Sequence, residues 1–508
     1  MADRSLEALK TRLNTVSDLA SAAGLMSWDL RTMMPPKGGS IRADRLATVG
    51  RIAHELFVSD ETGELLEAVA ELEQSLPFDS DDASLIRVAR RDFDKARKLP
   101  GDLQAELIRA SAIGYEAWSV SRETSNFGTF LPALTRQVEL QRQVMDVYRD
   151  GLPAGGEDYD ILLDDYEPGL SAAEIRTVFD EVKQATIPLV ARVSERSDRV
   201  DNTVLHGSFP LDKQRELALA LIRPFGFDDD SWRLDPTQHP FASAMATTDI
   251  RLTTRYIDND LSSAMFGTMH ECGHGLYERG VSPSLERTLL ARGASMSWHE
   301  SQSRMWENLV GRSRAFWSFA FQTLAHVFPD RFDGTGAEGL YRAVNKMQPS
   351  LIRVEADELT YNLHIILRFE LEQDIFNRQV DLKDLPEAWN TKMRNYLGID
   401  VPDDAHGVLQ DVHWGAGSFG YFPTYALGNV VSLQLWDRIT TEIPDLEVLF
   451  TRGEFGPLRE WLATNVHVHG RKFLPKELLK RVLDTDAFDA RPLLTYLTRK
   501  VDNLYGLA

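Results

Sequence analysis

His270-Glu271-Cys272-Gly273-His274 places two imidazoles four residues apart with a carboxylate directly after the first. On an α-helix, residues i and i+4 share one face, one turn apart, so both rings can reach one metal ion. Glu271 lies beside His270, close enough to hold an activated water without entering the coordination sphere. The chemistry is hydrolysis: the ion acidifies the water and the carboxylate takes its proton. Such a site needs a third protein ligand and an open position. The three-histidine extension of the motif fails, because Tyr277 and Gly280 stand where it wants Gly and His. The remaining candidates are Glu278, Glu286, His299, Glu300 and Glu307. Glu278 follows one turn later on the same helix and would compete with His274. Glu286 falls in a loop. Ser297 to Glu307 reads as a second helix from which Glu300 can cross to the metal; its alternative partner is Arg304, at i+4.

The spacing predicts a His270 helix from about residues 260–262 to Gly280. Gly273 inside it costs about 1 kcal/mol relative to alanine, which implies that something approaches the helix closely. Cys272 reads as a small core residue. Just upstream, Asp249–Tyr256 alternates Ile250, Leu252, Thr254 and Tyr256 with Arg251, Thr253 and Arg255, the pattern of a strand. It is expected as an isolated edge strand able to pair with an extended peptide, or as a structural hairpin.

Everything else reads as helix. Leu6, Leu9, Leu13 and Leu19 form one stripe, and Pro35-Pro36 and Gly38-Gly39 break it. Further helices are expected over 41–56, 61–76, 83–98, 103–122, 131–148 and 211–222, and over 456–464, 475–484 and 490–504. Ser171 to Glu174 forms a capping box. Residues 151–170 read as an acidic loop with solvated carboxylates.

The 508 residues carry 56 Lys and Arg against 77 Asp and Glu, a net charge of −21. That argues against nucleic acid or an anionic membrane as partner. Cys272 is the only cysteine, so no disulfide framework exists. The charged start lacks a signal core and no run is long enough to span a membrane; a cytoplasmic protein is expected.

Six blocks resemble the M32 family of metallocarboxypeptidases, the thermostable carboxypeptidase type. They are His239-Pro240-Phe241, Asp249-Ile250-Arg251-Leu252-Thr253, His270 to His274, His299-Glu300-Ser301-Gln302, Ile352-Arg353-Val354-Glu355-Ala356-Asp357, and Gly407-Val408-Leu409-Gln410-Asp411-Val412-His413-Trp414. The resemblance implies a mainly α fold, gluzincin-like, with two helical lobes around a deep groove and a small sheet near the metal. It implies one peptidase unit over 1–508, comprising a helical lobe (1–235), a catalytic core (236–430) and C-terminal helices (431–508). It implies Glu300 as third ligand, Glu271 as general base, Zn2+ with Co2+ as substitute, and a homodimer. The substrates it implies are peptides with a free C-terminus, shortened one residue at a time. An exopeptidase must bind a carboxylate, which suits the guanidinium fork. Arg353 is carried over for this, with an i+4 ion pair to Asp357 as its structural alternative. Arg251, His239 and Gln410 are further substrate-binding candidates. His413, with Tyr421 or Tyr425, is expected to serve the oxyanion. The competing readings are an oligopeptidase or endopeptidase of the same chemistry and a non-catalytic peptide-binding scaffold.

Overall fold

The structure, a computed structural model, describes residues 2–507. Helices run from Ala2–Thr32 at one end to Arg491–Tyr505 at the other, and the described strands form a single three-stranded sheet. Local chemistry sets many helix starts. Ser59, Ser80, Ser171, Ser295 and Ser313 each accept a hydrogen bond from the first turn they precede. Ser171 and Glu174 complete the expected capping box. Asp81–Lys98 has Asp81 and Asp82 in its first turn and Lys95, Arg97 and Lys98 in its last, both favourable with the helix dipole.

One large apolar core runs from Trp118 to Leu507. A smaller one joins Leu6, Leu9 and Leu13 to Leu66, Val69, Leu85 and Ile86, and to Val281, Leu285 and Leu290. It ties the amino-terminal helices to the segment that follows the His270 helix. Each such side chain contributes about 1.5–3 kcal/mol when buried. The expected helix over 61–76 is two, Asp60–Ala68 and Ala70–Ser75. Val69 breaks the helical geometry and is itself fully buried in the small core.

Of the two readings of the strand, the isolated edge is corrected and the structural hairpin is present, as Ala242–Ala246 and Asp249–Thr254. β1 (Trp232–Pro236), β2 (Ala242–Ala246) and β3 (Asp249–Thr254) pair in the order β1-β3-β2. β3 is therefore central and not an edge. It runs parallel to β1, with Leu234 opposite Leu252, and antiparallel to β2. With both edges of β3 taken, any added peptide strand must pair with β1 or β2. β2 escaped detection because Ala-Ser-Ala-Met-Ala has little β propensity and no alternation.

The acidic loop over 151–170 is also corrected. It contains the helix Asp158–Leu163, and two of its carboxylates are buried. Asp160 accepts from Ala172 N, and Glu167 accepts from Ser297 N and from Ser297 Oγ at 2.7 Å. Glu167 thus sits at the N-terminus of the helix Met296–Arg304, where a carboxylate meets unsatisfied N–H groups.

Four elements stack at unusually short range. A β-carbon on Gly275 of the helix Ser262–Gly280 would stand 2.5 Å from the Trp232 ring and 2.9 Å from Ile250 Cγ2. One on Gly273 would meet Ser303 Cα at 2.6 Å and Gln302 O at 2.7 Å. One on Gly428 of the helix Pro423–Glu442 would meet Glu300 Cβ at 2.7 Å. Sheet, His270 helix, Glu300 helix and the 423–442 helix are pressed together at these three glycines.

Gly273→Ala should lower the unfolding temperature. Its contacts are backbone atoms that cannot swing aside, and overpacking costs about 1–3 kcal/mol, more than the helix-propensity gain of about 1 kcal/mol. Gly50→Ala, on the helix Gly39–Phe57 with open space around it, should raise that temperature. A thermal melt of the two variants checks both signs.

Candidate active site

The helix Ser262–Gly280 sets the His270 and His274 rings 4.9 Å apart and nearly perpendicular. Glu300 crosses from the next helix. Its Oε2 lies 3.6 Å from His270 Nε2 and 3.5 Å from His274 Nε2. One ligand atom from each of the three residues falls within 4.8 Å of the others. The two readings of Glu300 do not compete, because they use different oxygens: Oε2 faces the histidines while Oε1 accepts from Arg304 Nε at 2.8 Å. The other ligand candidates stand elsewhere. Glu286 accepts from Thr247 N, and Glu307 lies behind His270, its Oε2 2.9 Å from Nδ1. His299 and Glu278 lie behind His274.

Glu307 sits on the π-helical turn Met305–Val310 that continues the Glu300 helix, a feature that re-aims side chains at functional sites. Arg304 NH1 is 3.2 Å from Glu307 Oε2, so one guanidinium joins Glu300 to Glu307. Burial would lower the pKa of His270, but Glu300 and Glu307 outweigh it and push it up to about 9. The same carboxylates favour a cation in place of that proton. Two imidazole nitrogens and one carboxylate oxygen, converging with their opposite sides supported, fit a divalent metal ion.

Glu271 is 6% exposed, and its carboxylate takes no hydrogen bond from any described residue. Burial pushes it up to about 7; His270 opposes the rise, and Glu300 and Glu307 add to it. A carboxylate near 7 suits a general base at neutral pH.

A second buried cluster involves Arg353. The structural alternative for Arg353, an i+4 pair with Asp357, does not form: Arg353–Glu355 is a single 3-10 turn, and Asp357 instead accepts from Leu359 N, Thr360 N and Gln348 N. Arg353 pairs with Asp411, 2.7 Å from NH2 to Oδ1, and NH1 donates to Tyr361 OH. Arg368 pairs with the other oxygen of Asp411 at 2.6 Å. Burial would raise the Asp411 pKa, but the two guanidiniums hold it well below the usual carboxylate range. The Gln410 side chain is spent on the same cluster. Its Oε1 accepts from Arg353 N and Arg368 NH2, and its Nε2 donates to Leu351 O and His406 O.

The His413 ring packs against Phe422 at 4.5 Å, tilted by 43°, with Tyr421 at 5.3 Å and its Nε2 3.4 Å from Tyr425 OH. Tyr425 covers the Arg353 guanidinium at 4.9 Å. Burial and the field of Glu300 push Tyr421 up to about 12, and Tyr425 rises well above its usual value, mainly through burial. Burial pushes His413 down to about 4. At neutral pH the tyrosines are protonated and the imidazole is neutral. Arg251 forms a bidentate pair with Asp249 and lies over the Trp28 ring at 4.5 Å. His239 is exposed, on the loop between β1 and β2.

Sequence reasoning missed Arg368, Tyr361, the pairing of Asp411 with Arg353 and the second contact of Arg304, to Glu307. One signal was available. Tyr361–Phe376 is buried almost all round, and its His364, Arg368 and Glu372 recur every four residues and are fully buried. Charge at helical spacing inside a buried helix requires buried partners. The 404–420 segment supplies them: Asp411 and Gln410 for Arg368, Trp414 Nε1 and Gly420 N for Glu372.

Residues 8–501 match the family described as carboxypeptidase Taq (M32) metallopeptidase. Thermostable carboxypeptidase 1 of Thermus thermophilus is 42% identical over 493 residues, 96% of each chain. Carboxypeptidase 1 of Bacillus subtilis is 38% identical over 500 residues, 97% of each. The crystal structure of the M32 carboxypeptidase from Deinococcus radiodurans superposes with a TM-score of 0.95 at 36% identity, covering 99% of this chain and 100% of that one. With the match extending through both the histidine helix and the Arg353 cluster, the chain belongs to the M32 family of metallocarboxypeptidases and is a peptide hydrolase.

Proposed function

We propose that this metallocarboxypeptidase uses zinc to release single residues from free peptide C-termini, with broad specificity. The observation that carries the reading is the charge of the Arg353 cluster. Arg353 and Arg368 share one carboxylate, Asp411, so the three groups carry one formal positive charge out of water. A buried cation without a partner is costly. A peptide's terminal carboxylate supplies that partner, and an internal peptide bond does not. Arg353 receives it, while Arg368 and Gln410 hold Arg353 in place. Arg251, with its apolar face on Trp28, lines the substrate side of the sheet, and His239 stands on the loop beyond.

His270, His274 and Glu300 would hold the ion, zinc by preference and cobalt as substitute. When bound, such an ion supplies Lewis-acid chemistry, acidifying water and polarising a carbonyl. Glu271 takes a proton from the attacking water and returns it to the leaving amine. Tyr421 or Tyr425, still protonated, and neutral His413 donate hydrogen bonds to the oxyanion. The family resemblance and the acidic, single-cysteine sequence support a homodimeric enzyme of the cytoplasm. No helix among the described residues is long and apolar enough to cross a membrane.

The direct test is a mass-spectrometric time course on one peptide as free acid and as amide, with chelated and with zinc- or cobalt-restored protein. A metal-dependent ladder from the C-terminus of the free acid alone is expected. Internal cuts in both forms would mean an oligopeptidase, and no cleavage under any metal would mean a peptide-binding scaffold. Glu271→Gln should retain the ion and lose about 100- to 10,000-fold in kcat; full turnover would remove it as the base. Arg353→Ala should lower the preference for free acid over amide about 10- to 100-fold, the worth of charge-assisted hydrogen bonds. Asp411→Asn should cost about 3–5 kcal/mol of stability by leaving two buried guanidiniums uncompensated. Because Asp411 is held below its usual range in the folded chain, its contribution is complete above about pH 4 and is lost as pH falls. The variant should therefore show a flatter acid limb in stability against pH.

A further inference from the structure

An imidazole offers a metal its lone pair only from the nitrogen that carries no proton. The proton must sit on the other nitrogen, and an acceptor there keeps it in place. For His270 the acceptor is a carboxylate, Glu307 Oε2, 2.9 Å from Nδ1. His274 has no carboxylate behind it. Its Nδ1 lies 2.8 Å from Nδ1 of His299, and His299 Nε2 lies 2.6 Å from Glu278 Oε1. Two ring nitrogens at that distance share one proton. With an ion on His274 Nε2, the nitrogen turned toward Glu300, the proton belongs to His274 Nδ1, and His299 Nδ1 accepts it. The proton of His299 is then on Nε2 and is donated to Glu278. One arrangement of protons satisfies all three groups.

The His299 ring has little freedom to leave this arrangement. It lies against Tyr277 at 5.1 Å and against His274 at 4.9 Å. On a third side is Gly293, where a β-carbon would stand 2.7 Å from His299 Cδ2 and 2.9 Å from Tyr277 Cε1. Tyr277 is fixed in turn, its hydroxyl accepting from Ala294 N at 3.1 Å. The residue before the third ligand thus reaches back to the second histidine, while Glu278, one turn beyond His274, closes the chain.

We propose that His299 and Glu278 are positioning residues of the metal centre. Acting through His274, they hold its proton on Nδ1 and turn Nε2 to the ion, as Glu307 does directly for His270. This rests on the metal reading above. Gly293 belongs to the same device, because it makes the space in which the His299 ring stands.

The experiment removes the ion from the full-length enzyme, then titrates Zn2+ against a competing chelator and records the visible absorption of the Co2+ form. His299→Phe should weaken Zn2+ binding about 10- to 100-fold, the usual effect of losing such a partner, and should change the Co2+ absorption. His299→Asn should recover most of the affinity, because its Oδ1 can occupy the position of Nδ1 and accept the same proton. Gly293→Ala, which keeps every atom of the relay but displaces the ring, should weaken binding in the same direction. Wild-type affinity in a folded His299→Phe protein would overturn the proposal. Equal losses in His299→Phe and His299→Asn would do so too, since they would reduce the ring to packing. If His299→Phe does not fold, Glu278→Gln decides: a loss of about 10-fold, at the low end of that range, is expected, and unchanged affinity and spectrum would overturn it. A wild-type enzyme that takes up no ion would contradict the metal reading instead, so the two failures are distinguishable.

Discussion

The close approach of the His270 helix to the elements on either side of it is the constraint on which the site depends. Gly275 lets the helix lie against Trp232 and Ile250, and Gly273 lets it lie against the backbone of Gln302 and Ser303. Gly428 then allows the helix Pro423–Glu442 to press on Glu300 from the far side. A methyl group at any of these positions pushes apart elements that must sit within a few ångströms. The helix loses about 1 kcal/mol of propensity at each internal glycine and gains a geometry in which three donors from two helices converge. The cost in local stability is thus linked directly to the capacity for chemistry.

Charge is handled by the same logic of close packing. Buried ions cost several kcal/mol each unless compensated, and here they alternate in sign. Arg304 lies between Glu300 and Glu307, and Glu307 Oε1 is 3.6 Å from Arg312 NH2. Glu358 lies 3.9 Å from Arg312 and 2.7 Å from Lys500 of the last helix. The chain of compensation runs from Glu300 to the carboxyl-terminal helix, so scaffold and site share one electrostatic network. The Arg353 cluster departs from this balance, with two guanidiniums on one carboxylate.

The sequence spoke most clearly where chemistry is local. The His270 to His274 spacing, the glycine inside it, the buried Cys272 and the Ser171 capping box each depend on neighbours within a turn or two, and each is present in the structure. Glu300 could be named as a ligand candidate from helical phase. Its double engagement could not, because the second oxygen is settled by distance across helices. β2 was hidden by its alanines, and the burial of Glu167 by the polarity of its surroundings in sequence; what fixes Glu167 is Ser297, 130 residues later. The alternative weighed for Arg353, an ion pair with Asp357, named the wrong carboxylate, since the pair is with Asp411. An i+4 rule applies only within a helix, and the chain there forms one tight turn before Tyr361–Phe376 begins.

The most direct test is a crystal of the zinc-loaded protein measured on both sides of the zinc absorption edge. The account predicts one anomalous peak per chain, bonded to His270 Nε2, His274 Nε2 and a Glu300 oxygen, with Arg304 still on the opposite oxygen of Glu300 and Glu307 still behind His270. A peak bonded to Glu307, Glu278 or His299, or to a histidine Nδ1, would contradict it.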